Sequence, residues 1–328
     1  VRHYQGFIGA FVTTPFLTAV QHQALLALGA ALRARKYQFT TVTPATQARV
    51  LARPSAPEHA TLRDIFGWSR PFTAAAIDDE LLACMRAAGV LEEQDGLLRS
   101  TVRMSTLAGE WLFHSAYPTT QADAVFFGPD TCRFVRAMEQ TPAPAAEPVR
   151  RIVDIGCGSG VGAITLARRF PQAEVLAVDI NDRALALADV NIHLAGVENA
   201  SAHHSNLLTQ VDGLFDLIVA NPPYLLDAAE RAYRHGGGKL GAGLSLQIVQ
   251  AAIVRLAHGG ALWLYAGVAM EHGEDAFLRQ ATAMLEEAGL RWTYEEIDPD
   301  VFGEELETTG YAGVERIAAV WLVASKEA

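Results

Sequence analysis

One stretch constrains this chain above all others: Ile152-Val153-Asp154-Ile155-Gly156-Cys157-Gly158-Ser159-Gly160. An apolar run of strand length stops at three alternating glycines, and Val161–Phe170 then reads as a helix. Strand, glycine turn and helix in that order begin an open α/β sheet, whose ligands bind at the carboxyl ends of its strands. Glycine lets the backbone there approach a ligand closely and adopt conformations closed to other residues. A carboxylate ends the next apolar run, Val178-Asp179-Ile180, about twenty residues on, where it suits hydrogen bonding to two ribose hydroxyls. Two cofactor classes satisfy these features. Gly158-Ser159-Gly160-Val161-Gly162-Ala163 fits the GxGxxA form of a dinucleotide fold. Asp154 points the other way: within the first strand it would repel a pyrophosphate but could meet a cationic amino group.

The alternation continues to the end of the chain. Strands are expected at Arg151–Ile155, Glu174–Ile180, Ala200–Ser205, Phe215–Ala220, Ala261–Ala266, Leu290–Ile297 and Val314–Ala324, with helices between most of them. This predicts an α/β fold, a doubly wound, Rossmann-like sheet of seven mostly parallel strands. The polar loop Asp298–Gly310, not a helix, joins the last two strands, so they are expected to form a terminal antiparallel pair. The chain has 328 residues, half of them hydrophobic; two domains with a sizeable core are expected.

Residues 1–120 read as a smaller, mainly helical domain, and residues 121–328 as the catalytic one. Helices are expected at Gln21–Arg35, Ala45–Ala52, Thr61–Gly67 and Asp78–Ala88, the last stopped by Gly89. A hairpin follows, Val90–Glu93 and Leu97–Met104 about the Asp95-Gly96 turn. Helices and a hairpin in that order suggest a winged-helix-like arrangement. Such modules often bind DNA, but Asp78, Asp79 and Glu80 stand against a single Arg86 on the candidate recognition helix. A dimerisation or substrate-covering role is the better reading. The segment Gln140–Pro148, with three prolines among alanines, is the clearest linker.

A second motif decides the cofactor. Phe215-Asp216-Leu217-Ile218-Val219-Ala220 is a buried-type strand that runs into Asn221-Pro222-Pro223-Tyr224. The prolines stop the strand and stiffen the backbone after it. An amide or aromatic amino nitrogen is planar, with a delocalised lone pair, and must be aimed in line with the leaving group. The Asn221 side-chain oxygen and the Pro222 carbonyl can each accept one N–H of such a group, and Tyr224 can pack on its plane. A nicotinamide enzyme has no use for this loop.

The two motifs together resemble the N-methyltransferase branch of the class I S-adenosylmethionine-dependent methyltransferases, which includes the HemK-like release factor glutamine methyltransferases and the adenine-methylating enzymes of DNA and RNA. The resemblance covers roughly residues 122–328. It implies S-adenosylmethionine as cofactor, with Asp154, Gly156, Gly158 and Gly160 along its methionine part and Asp179 with Ile180 at the ribose. Asn206 and Leu207 would face the adenine; many relatives have Asp where Asn206 stands. The segment Asp123–Arg136, with Phe126-Phe127-Gly128-Pro129-Asp130, resembles the one that precedes the sheet in these enzymes and is expected to close over the cofactor, with Phe127 the expected contact. Asn221, Pro222 and Tyr224 would be the catalytic group. The stretch His235–Ser245, with Gly236, Gly237, Gly238, Gly241 and Gly243, is expected to be a mobile loop beside the substrate that orders on binding, or a plain flexible connector. The N-terminal part does not resemble the helical bundle of the HemK-like enzymes.

The net charge of −11 opposes a nucleic-acid acceptor, so adenine N6 methylation is the alternative and a protein side chain or small molecule the expected acceptor. A third reading is a protein that uses S-adenosylmethionine for non-methylating chemistry. Cys84, Cys132 and Cys157 are odd in number and widely spaced, which fits a cytoplasmic protein without disulfides. His193, His203, His204 and His235 show no metal-ligand spacing, and no metal is expected. Cys157 reads as a packing residue, and Glu304, Glu305 and Glu307 as a solvated charge run. No apolar run reaches membrane-spanning length and no signal peptide is evident, so no membrane partner is expected; a homodimer is.

Overall fold

The computed structural model describes residues 16–227, 231 and 233–327. In the N-terminal part, α1 (Ala19–Ala34), α2 (Pro44–Leu51), α3 (Leu62–Phe66) and α4 (Asp79–Ala88) lie close to their expected positions. Thr18, Thr43 and Thr61 each accept an N–H from the first turn of the helix that follows, and Gly89 ends α4 in the left-handed region, at φ 70. The acidic start of α4 is tied down by Arg35, which reaches Asp78 at 3.1 Å and Glu80 at 2.7 Å. The Asp95-Gly96 turn joins β1 (Leu91–Gln94) to β2 (Leu97–Ser100). The expected single run Leu97–Met104 breaks at Thr101. Beyond it β3 (Val102–Leu107) pairs with β4 (Glu110–Ser115) in a second hairpin, absent from the sequence reading. Arg103, Ser105 and His114 are buried within that hairpin, so the apolar alternation that marks a strand is missing.

The second half builds one sheet. α5 (Pro129–Gln140) leads to β5 (Arg151–Ile155), α6 (Val161–Arg169), β6 (Glu174–Asp179), α7 (Asp182–Ala195), β7 (Ala200–His204) and β8 (Phe215–Ala220). α8 (Gly243–Arg255), β9 (Leu256–Glu271), β10 (Glu274–Asp275), α9 (Ala276–Glu287), β11 (Arg291–Asp298) and β12 (Arg316–Ser325) complete it. The strand order is β11-β12-β9-β8-β5-β6-β7, with the two-residue β10 folded back on β9. The strands from β9 to β7 run parallel; β12 is antiparallel to both β9 and β11. β9 extends well beyond the expected Ala261–Ala266 because β12 pairs with it from Ala261 to Met270.

Apolar side chains fill both faces of the sheet. One core lies beneath α5, α6 and part of α7, the other beneath α8 and α9. A third core, in the N-terminal part, takes Ala184, Leu187 and Val190 from α7. The strand order reverses at β5, which has β6 on one side and β8 on the other. A crevice is expected above the carboxyl end of such a strand.

Candidate active site

That crevice is present, and the two sequence motifs meet in it. β5 delivers Asp154, Gly156 and Gly158 to its wall, β6 delivers Asp179 and Ile180, and β8 delivers Asn221, Pro222 and Tyr224. Asn206 and Leu207, just after β7, line the same cavity. The glycine turn is held from behind. Gly156 and Gly158 have φ of 69° and 53°, and a Cβ on either would meet nothing within 4 Å, so both present bare backbone to open space. The Gly158 N–H donates to Asp179 Oδ2 at 3.0 Å, and the Asn181 N–H donates to Oδ1 at 3.0 Å. Burial raises the Asp179 carboxyl above its ordinary range.

Asp154 is buried, and its Oδ2 accepts the Ala163 N–H at the start of α6, at 2.9 Å. Burial pushes its carboxyl up to about 7, with a contribution from the negative charge of Asp179. A buried carboxyl of this kind gains from a cation placed beside it. Cys157 is buried, which pushes its thiol well up, as befits a packing residue and not a nucleophile.

Phe127 and Gly160 do not line the cavity. Neighbouring side chains of an extended segment point to opposite sides, so Phe127 enters the core, stacked on His114 at 4.9 Å. Phe126 takes the wall position instead, stacked with Tyr233 at 6.4 Å. Gly160 caps α6 with φ 78, and a Cβ there would come within 3.0 Å of the Ala188 Cβ. Its lack of a side chain serves the packing of α6 against α7.

Tyr224 reaches the cavity but is only 6 % exposed. Its ring lies against the Gly267 backbone and edge-on to Phe302, which covers most of the surface expected to face a substrate. Its hydroxyl is buried beside Asp130 and Tyr265. Asp130, which the sequence marks only as the end of the segment expected to close over the cofactor, is part of the site. It lines the cavity, accepts the Tyr265 hydroxyl at 2.6 Å and pairs with Arg133 at 3.1 Å, which in turn pairs with Asp298 at 2.7 Å. Arg234 and Phe302 also reach the wall, from the loops after β8 and β11. Glu305, expected in a solvated run, is buried and paired with Arg234. The signals were there, in the segment around Asp130 and in the long Asp298–Gly310 loop. Neither told which side chain turns inward.

Gly236 and Gly241 pack against the end of the Asn221–Tyr224 loop. The Gly236 N–H donates to the Leu225 carbonyl at 2.8 Å, and Leu225 and His235 form a parallel bridge. A Cβ on Gly236 would stand 2.7 Å from Tyr224 Cα, and one on Gly241 would stand 2.0 Å from the Tyr224 carbonyl oxygen. In the structure Gly236 and Gly241 back Tyr224 and Leu225 closely.

The groups in the crevice fit S-adenosylmethionine. Bare glycine backbone and the acidic Asp154 suit a cationic amino-acid end, Asp179 a ribose, and the 55 % exposed Ile180 the face of a purine. No helix among the described residues is long and apolar enough to cross a membrane. Residues 134–288 match the methyltransferase small domain family. The chain is 33% identical to the release factor glutamine methyltransferase of Bordetella pertussis over 233 residues, 67% of this chain and 77% of that protein. It is 31% identical to that of Deinococcus radiodurans over 214 residues, 62% and 72% of the two chains. A shorter match, 43% over 74 residues, covers 23% of this chain and 21% of the ribosomal RNA small subunit methyltransferase C of Shewanella amazonensis. With its cofactor crevice and Asn-Pro-Pro-Tyr loop in one cavity, the chain belongs to the family of S-adenosylmethionine-dependent N-methyltransferases that includes the release factor glutamine methyltransferases.

Proposed function

We propose that the methyl acceptor is the side-chain amide nitrogen of a protein glutamine, held by Asn221 and Pro222. The observation that carries this is the meeting of Asn221-Pro222-Pro223-Tyr224 with Asp154, Gly156, Gly158 and Asp179 in one cavity. Bound S-adenosylmethionine supplies an electrophilic methyl group on a sulfonium. The protein supplies the placement. Asp154 and the glycine backbone hold the amino-acid end, Asp179 the ribose, and Ile180, Asn206 and Leu207 the adenine. The Asn221 side-chain oxygen and the Pro222 carbonyl each accept one N–H of the acceptor amide. That aims the nitrogen and stabilises the positive charge it gains. Phe126, Tyr233 and Phe302 wall the acceptor end and exclude water. Residues 1–120 act as a substrate-covering, winged-helix-like unit in a cytoplasmic enzyme. Their acidic α4, already engaged with Arg35, suits a protein partner better than a phosphate backbone.

Asn221→Ala is expected to leave S-adenosylmethionine affinity nearly intact and to reduce turnover by about 100-fold or more. Unchanged turnover would remove Asn221 from the role. Methyl-labelled S-adenosylmethionine, incubated with the enzyme and separated protein and RNA fractions, tests the acceptor. Label recovered as N-methylglutamine is the expected result, and label in RNA adenine would overturn the reading.

A further inference from the structure

We propose that His22, Asp189 and His193 form a site for a divalent transition-metal ion of the zinc type, which ties α1 to α7. Asp189 and His193 stand one turn apart on α7 and so share a face. His22, in the first turn of α1, meets them there, its Nε2 2.8 Å from Asp189 Oδ2. The two imidazole rings are 5.2 Å apart and nearly perpendicular. One ligating atom from each of the three residues lies within 4.8 Å of the other two. A tetrahedral centre with bonds of ~2.0–2.1 Å needs ligand atoms ~3.4 Å apart, so side-chain rotation closes the site. The His193 Nδ1–H donates to the Asp189 carbonyl oxygen at 2.8 Å and lies 3.6 Å from Asp189 Oδ1, so in the neutral ring Nε2 carries the lone pair and the ring turns to bring it to the ion. A backbone carbonyl on the other ring nitrogen is the usual support of a metal-binding histidine.

The donor set selects the ion. Two imidazoles and one carboxylate suit zinc, cobalt or nickel, whereas magnesium and calcium take oxygen ligands. The His22 side chain is 19% exposed and held between the helices, while Asp189 and His193 are 43% and 55% exposed, which leaves a side for water as fourth ligand. The ion would brace more than a surface. Ala188, next to Asp189, packs against Gly160 of the glycine turn, so the clamp sits on the helix that supports that turn. Sequence spacing hid the site because its ligands come from residues 167 apart.

Metal-free, full-length protein titrated with Zn²⁺ or Co²⁺ tests this apart from any activity. One equivalent is expected to bind, with a Tm that rises with ion concentration and a tetrahedral cobalt absorption band. His193→Ala, at the exposed edge, and Asp189→Asn are each expected to weaken binding roughly tenfold or more; the control His203→Ala is not. The proposal is overturned if Mg²⁺ raises the Tm as zinc does, if His193→Ala binds like His203→Ala, or if the wild-type chain binds no cobalt.

Discussion

At the scale of single residues, Asp154 makes the site sensitive to pH. Its carboxyl is raised from 3.8 to about 7, first by burial and then by the charge of Asp179. A raised folded-state value means that the ligand-free protein holds a proton which the unfolded chain has already lost. The resulting stability is fully present below pH 3.8 and is lost as pH rises through about 7. A cation bound beside Asp154 acts in the opposite sense and expels the proton. S-Adenosylmethionine binding at pH 6.5 is therefore expected to release up to one proton, and affinity to fall by up to about tenfold per pH unit below 7. Calorimetry in buffers of different ionisation enthalpy measures the release, and Asp154→Asn should abolish it while weakening binding at pH 8. Asp154 was legible in the sequence because a carboxylate inside an apolar strand is costly without a function. Phe126 was not told from Phe127, because two adjacent aromatics carry no sign of which one faces inward. Asp130 and Arg234 were less legible still, since each gains its meaning from partners far along the chain, Tyr265 and Glu305.

At the scale of elements, buried strands announced themselves and close packing did not. The runs at β5, β6 and β8 are continuous and apolar, as strands covered on both faces must be, and their bounds matched the reading almost residue for residue. The glycines after Tyr224 look in sequence like a flexible linker, yet at Gly236 and Gly241 no side chain fits. Gly241 combines φ 82 with a virtual Cβ 2.0 Å from the Tyr224 carbonyl oxygen. Gly241→Ala must therefore strain its own backbone or push the Asn221–Tyr224 loop, at a cost of about 1–3 kcal/mol. A shift of the Asn221–Tyr224 loop by about 1 Å would reduce turnover by about 100-fold. The expected signature is a fall in kcat with S-adenosylmethionine affinity little changed, because Asp154, Asp179 and the glycine turn sit on other strands. If Gly241→Ala keeps full turnover, the glycines are not holding the loop.

At the scale of the whole molecule, the chain was expected to divide near residue 120, yet its cores do not respect that line. The N-terminal core is completed by Ala184, Leu187 and Val190 of α7, a helix whose other side supports the cofactor turn. Buried Asn191 reinforces the join. Its Oδ1 accepts the Phe113 N–H at 2.8 Å, and its Nδ2–H₂ donates to the Phe113 carbonyl at 2.9 Å and the Ser159 carbonyl at 2.8 Å. One side chain thus binds the β4 strand to the glycine loop. Two units that share a helix and a buried polar network lose both together, so unfolding is expected to be a single calorimetric transition. A fragment of residues 121–328 would expose the α7 apolar face and aggregate, although it holds every residue of the candidate catalytic group. Asn191→Ala, which strands buried polar groups on both sides of the join, should lower the one transition by about 1–3 kcal/mol without splitting it. Two resolved transitions, or a stable fragment that binds S-adenosylmethionine, would show instead that the N-terminal unit is an independent cover laid on a self-sufficient enzyme.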